Sequence, residues 1–150
     1  MSTLWVLVAN ASQAHLYATA RLGGALEIVK EFSHPQSREK GLNLVTDRPG
    51  QKQTQGAVHG GAVEKTDPKE VEAEKFAKEL AVELDEGRTS HQFAELVLIA
   101  PPHFHGLLNK HCNPQTLNMV SKKLQKDYTH MRAKELSDYF GSLPRWPDEK

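Results

Sequence analysis

The chain has 150 residues, with Lys+Arg and Asp+Glu equal at 19 each, so its formal net charge is zero. That length is expected to give one domain with a core of its own. The balanced charge argues against a dedicated DNA binder, which carries a basic excess, but leaves room for RNA contact through one local patch. The single cysteine, Cys112, excludes an internal disulfide and a Cys-rich zinc site.

The N-terminus, MSTLWVLVAN, has no cationic leader region. Its apolar run Leu4–Ala9 is too short to span a bilayer, and a cytoplasmic protein with no membrane partner is expected. The run is apolar at successive positions, which suits a central strand covered on both faces. Asn10-Ala11-Ser12 reads as a turn. Ala14 to Ala18 alternates and predicts a strand antiparallel to the first. After a turn at Leu22-Gly23-Gly24, Leu26 to Phe32 predicts a third strand with Leu26 and Ile28 on one face. Val29 and Phe32 break the alternation there and point to a bulge.

From His34 to Lys65 no period of 2 or 3.6 is sustained. Half of the chain's ten glycines lie here (Gly41, Gly50, Gly56, Gly60, Gly61), with Gln36, Gln51, Gln53 and Gln55. A loop of this length inside a compact domain is usually functional or disordered, and mobility is expected over about 36–66, most of all over 51–63. Asp47-Arg48-Pro49-Gly50 has the chemistry of a turn that presents its arginine outward. Between Arg48 and Val63 stand Arg48, Lys52 and His59 but no acid. Such a stretch can approach a polyanion closely; it also suits a plain insertion with no ligand.

Asp67-Pro68-Lys69-Glu70 predicts a helix start, with Asp67 as cap, Pro68 at the first helical position and Glu70 completing a capping box. Ala73, Phe76, Ala77, Leu80, Ala81 and Leu84 form an apolar stripe. Glu72, Lys75, Glu79, Glu83 and Glu86 are expected on the outer face, and Gly87 as the stop. Glu95 to Ala100 predicts a second buried strand, parallel to the first and ended by Pro101-Pro102. Phe104, Leu107 and Leu108 suit a short helix. Asn113 to Tyr128 is open between helix and strand. Leu136, Tyr139, Phe140 and Leu143 predict a last helix within a domain over 1–143, and residues 144–150 are expected to fray. The sum is an α/β class: a three-layer α/β/α sandwich on a mixed five-stranded sheet.

Eight histidines raise the question of metal, but His103, His105 and His111 lack a ligand-set spacing, so surface histidines and no metal or cofactor are expected. The ends of the buried strands carry Asn10 and Ala100 rather than the carboxylates that a two-metal nuclease needs. No nucleophile-elbow, P-loop or dinucleotide motif is present, no catalytic residue is assigned, and Cys112 reads as a buried thiol. Lys126-Asp127 and Thr129-His130 form a second polar cluster.

TLWVLVANASQAHLY, His34-Pro35, Thr46 to Gly50, Glu74 to Ala77, LVLIAPPHFHGLL and Lys126 to His130, in this order and spacing, resemble the bacterial host attachment proteins over nearly the whole chain. That family is similar in layout to the central domain of the archaeal and eukaryotic class I peptide release factor. The resemblance implies a ribonuclease H-like fold, with Met119–Lys126 as the last strand. It also places Gly60-Gly61 where the release factor has a Gly-Gly-Gln motif, although Ala62 stands here in place of the glutamine. The reading favoured on this basis is a non-enzymatic protein that binds tRNA, rRNA or the ribosome. Its binding residues would be Arg48, Lys52, Gln55, His59, Gly60, Gly61, Lys126 and His130. A protein-interaction module is the second reading. A peptidyl-tRNA hydrolase acting through another glutamine is the third.

Overall fold

The computed structural model describes residues 3–34 and 67–147. The expected mobile segment, and with it Arg48, Lys52, Gln55, His59, Gly60 and Gly61, lies outside the described residues. The strands are β1 (Leu4–Ala9), β2 (Gln13–Thr19), β3 (Glu27–Ser33), β4 (Glu95–Ile99) and β5 (Val120–Leu124). The helices are α1 (Pro68–Thr89), α2 (Pro102–His111), α3 (Pro114–Asn118) and α4 (Ala133–Ser142). The five strands form one mixed sheet in the order β3-β2-β1-β4-β5. β1 is antiparallel to β2 and parallel to β4, and β5 extends the parallel half.

β1 is central, and its side chains alternate between two cores. Trp5, Leu7 and Ala9 pack with α1 and α2, including Phe76, Leu80, Leu84 and Leu108. Leu4, Val6 and Val8 pack on the other face with Leu136 and Phe140 of α4. Both faces are thus covered by helices, as an all-apolar strand requires, and the molecule has the expected three α/β/α layers.

Several expectations are corrected. The stripe on α1 is buried as predicted, but Glu72 is buried with it, because a histidine meets it from the end of β3. Gly87 is not the stop. The helix continues to Thr89, and Gly87 is buried within it against Trp5. The chain leaves the helix one turn later through His91, which takes the left-handed conformation at φ 58°. Gln92 N–H returns to Gly87 O, and His91 N–H to Arg88 O. This is the Schellman arrangement, with histidine in the glycine place.

The segment left open between helix and strand holds both. Asn113 caps α3 by accepting from Thr116 N–H at 2.8 Å and donates to Asp85 at 2.8 Å, which ties α3 to α1. β5 follows directly. β3 begins at Glu27, so Leu26 lies before it, and Ile28 is 51% exposed. The pairing jumps from Leu16↔Lys30 to Tyr17↔Ile28, so Val29 is the extra residue of the expected bulge. Of the tail, the structure describes residues 144–147, including Trp146. Its indole packs on Phe140 with ring centroids 5.6 Å apart and donates to Lys123 O at 2.9 Å.

Candidate functional site at the carboxyl end of the sheet

In open α/β sheets the crevice at the carboxyl ends of the parallel strands collects ligands. Here Asn10 follows β1, Ala100 follows β4, and the Gln125–Thr129 turn follows β5. The Asn10 carboxamide closes the β1–β2 turn. Its Oδ1 accepts from Ser12 N–H at 2.8 Å and Gln13 N–H at 3.0 Å. Its Nδ2 then donates to Asp127 Oδ2 at 3.0 Å and Thr129 Oγ1 at 3.1 Å. The Thr129 hydroxyl donates to Asp127 Oδ1 at 2.7 Å, and Thr129 N–H donates there at 3.0 Å.

Partial burial works to raise the Asp127 pKa, but the Thr129 and Asn10 hydrogen bonds and the neighbouring His130 outweigh it, and the carboxyl lies below its ordinary value. Both Asp127 oxygens already accept hydrogen bonds. The residue therefore serves as a hub that positions the turn rather than as a proton acceptor. Lys126 and His130, two of the residues singled out in the sequence, flank this hub and are exposed.

The same network reaches the point where the chain enters residues 35–66. His34 N–H donates to Ser12 O at 2.7 Å, and Ser12 N–H is held by Asn10. The His34 ring stacks on Phe76 at 5.3 Å, and its Nε2 meets Glu72 Oε1 at 2.8 Å. One chain of hydrogen bonds thus joins His34, Ser12, Asn10 and Asp127.

Asp67 accepts from Lys69 N–H at 3.0 Å and starts α1 at the far end of that segment. Glu70 does not complete the expected capping box. It turns instead to His103 of α2, whose Nε2 lies 2.8 Å from its Oε1.

Glu74 takes Lys110 and His111 of α2, each at 2.8 Å. The Lys110 hydrogen bond and then that of His111 hold its carboxyl at about 2, far below the ordinary 4.5. Three histidines, His34 just after β3 and His103 and His111 of α2, therefore meet three carboxylates on the first turns of α1. The expectation of surface histidines holds at His103, which is exposed, but not at the half-buried His34 and His111 or at His105, which is fully buried in α2. Nothing in the sequence spacing marks these pairs, since each joins elements set side by side only by the fold.

Among the described residues no group of three or more His, Cys, Asp or Glu side chains is arranged to hold a metal ion. Cys112 is buried as expected, and burial, with a contribution from Asp85, pushes its thiol up to about 11. No helix among the described residues is long and apolar enough to cross a membrane.

Fold and site together define a three-layer α/β domain that gathers its polar side chains at the carboxyl end of a mixed sheet, around the two ends of the 35–66 segment. Residues 5–140 match the family described as "Protein required for attachment to host cells", and the chain belongs to that family. No curated protein matches the chain. A solved structure described as "Archaeal protein" superposes with a TM-score of 0.46 at 10% identity, covering 93% of this chain and 36% of that one. The chain thus spans little more than a third of that protein's length.

Proposed function

We propose that this host attachment family protein is a cytoplasmic, non-enzymatic RNA-binding protein, and that its target is tRNA, rRNA or the ribosome. The binding residues on this reading are Arg48, Lys52, Gln55, His59, Gly60 and Gly61, together with Lys126 and His130. The observation that supports it most is the hydrogen-bonded path from His34 through Ser12 and Asn10 to Asp127. It ties His34, where the chain enters residues 35–66, to the turn bearing Lys126 and His130.

The strand order β3-β2-β1-β4-β5, with an antiparallel half and a parallel half, supports a ribonuclease H-like domain. It also supports the layout shared with the release-factor central domain. Hydrolysis of peptidyl-tRNA is not part of the proposal, because Ala62 stands where that motif has its glutamine.

Co-sedimentation of the full chain with ribosomes and with total RNA, at low and at raised salt, tests the proposal. Salt-sensitive co-pelleting supports it. Absence from both pellets at low salt overturns it and favours the protein-interaction reading.

A further inference from the structure

Net neutrality conceals a segregated distribution of charge. Acids outnumber cations on α1, whereas between Val120 and Lys134 the cations Lys122, Lys123, Lys126, Arg132 and Lys134 stand against Asp127 alone. Among the described residues β5 is an edge of the sheet and pairs only with β4. Its register shift leaves Ser121 as an extra residue and sets Lys122 opposite Val97 and Lys123 opposite Leu98. Neighbouring positions point to opposite faces, so the two lysines flank the edge on both sides. Lys126 follows at the end of the strand.

Trp146 donates its indole N–H to Lys123 O. This brings a partly exposed aromatic ring, with the exposed Arg145 next to it in the chain, to the same edge. Among the described residues Lys122, Lys123, Lys126, Arg132 and Arg145 form no ion pair. On the α1 side, Lys30, Lys75, Arg88 and Lys110 each meet a carboxylate at 3.5 Å or less. Asp127 accepts hydrogen bonds from Asn10 and Thr129 and forms no ion pair with these lysines.

A row of cations without an ion pair among the described residues, beside a partly exposed aromatic ring, is the chemistry that holds an unpaired strand. Phosphates follow the charge, and a base stacks on the ring. A paired A-form helix offers no base face for such a ring. We infer that the β5 edge binds single-stranded RNA, with Lys123, Lys126 and Arg145 meeting phosphates and Trp146 stacking on a base. This inference rests on the RNA reading above and extends its site from the sheet end along the edge.

The test uses the full chain, a labelled oligouridine and an RNA duplex of equal length, titrated across salt. Wild type should prefer the single strand, and the single strand should quench tryptophan fluorescence. Trp5 is buried, so Trp146→Phe should abolish that quenching. The triple variant Lys123→Gln/Lys126→Gln/Arg145→Gln should weaken binding about tenfold or more at low salt. It should flatten the salt slope by about two units, at ~0.7 per lost contact. All three side chains are exposed, so an unchanged circular dichroism spectrum is expected beside the loss. If the triple variant binds like wild type while Arg48→Ala/Lys52→Ala weakens binding, the edge inference is wrong and the sheet-end reading stands. Equal affinity for the duplex, or no quenching, overturns the stacking role. No RNA binding by wild type at low salt overturns both readings.

Discussion

Gly87 is the notch in α1 that admits the indole of Trp5. A Cβ at position 87 would overlap Cη2 and Cζ3 of that ring and come within 3.2 Å of Phe93. Trp5 and Phe93 in turn pack with centroids 4.8 Å apart. Gly87→Ala should gain roughly 1 kcal/mol of helix propensity and lose about 1–3 kcal/mol to overpacking. Urea melts should show a net loss, and the loss should largely vanish in a Trp5→Leu background, because the two positions share one volume. An equal loss in both backgrounds would contradict this packing.

His91 should give the opposite sign. It is exposed and sits at φ 58° in the C-terminal cap of α1, a conformation in which a side chain is strained and glycine is not. His91→Gly should stabilise the protein by about 0.5–1 kcal/mol in the same melts. A destabilised variant would mean that the imidazole makes a favourable contact.

Glu74 predicts a pH dependence. Its folded pKa of about 2 lies below the ordinary 4.5 because Lys110 and His111 hydrogen-bond the carboxylate. A depressed carboxyl stabilises the fold above the unfolded value, and the contribution is lost as pH falls from about 4.5 toward 2. The difference in Tm between wild type and Glu74→Gln should therefore be largest above pH 4.5 and shrink through that window. It should also shrink with added salt, since the pair is partly exposed. A difference that stays constant from pH 6 to pH 2 would refute this.

Features set by local chemistry or by one face's periodicity were legible in the sequence. The all-apolar β1, the Asp67-Pro68 start and the stripe through Phe76 follow from capping and periodicity alone, and the core they predict is the one observed. Contacts between elements distant in sequence were not legible. Glu70 satisfies every local rule for a capping box, yet His103, brought alongside by α2, attracts its carboxylate instead. Gly87 looks like a stop because a glycine's local preference is visible and the arrival of Trp5 from β1 is not. Val120 to Leu124 has helical spacing of apolar residues, and parallel pairing with β4 overrides it. At the site, Lys126 and His130 could be singled out as a polar cluster. Asn10 is visible in the sequence as a turn residue at a strand end, but its bond to Asp127 is not, because that depends on two strand ends meeting.

The central claim, that Arg48 and Lys52 bind RNA phosphates, is tested most directly by the salt dependence of RNA affinity in Arg48→Ala/Lys52→Ala. Phosphate contacts carry no base information, so the account predicts weaker binding to every RNA sequence alike. It also predicts a salt slope shallower by about one to two units, at ~0.7 per lost single-strand contact. Wild-type affinity with an unchanged slope would contradict it.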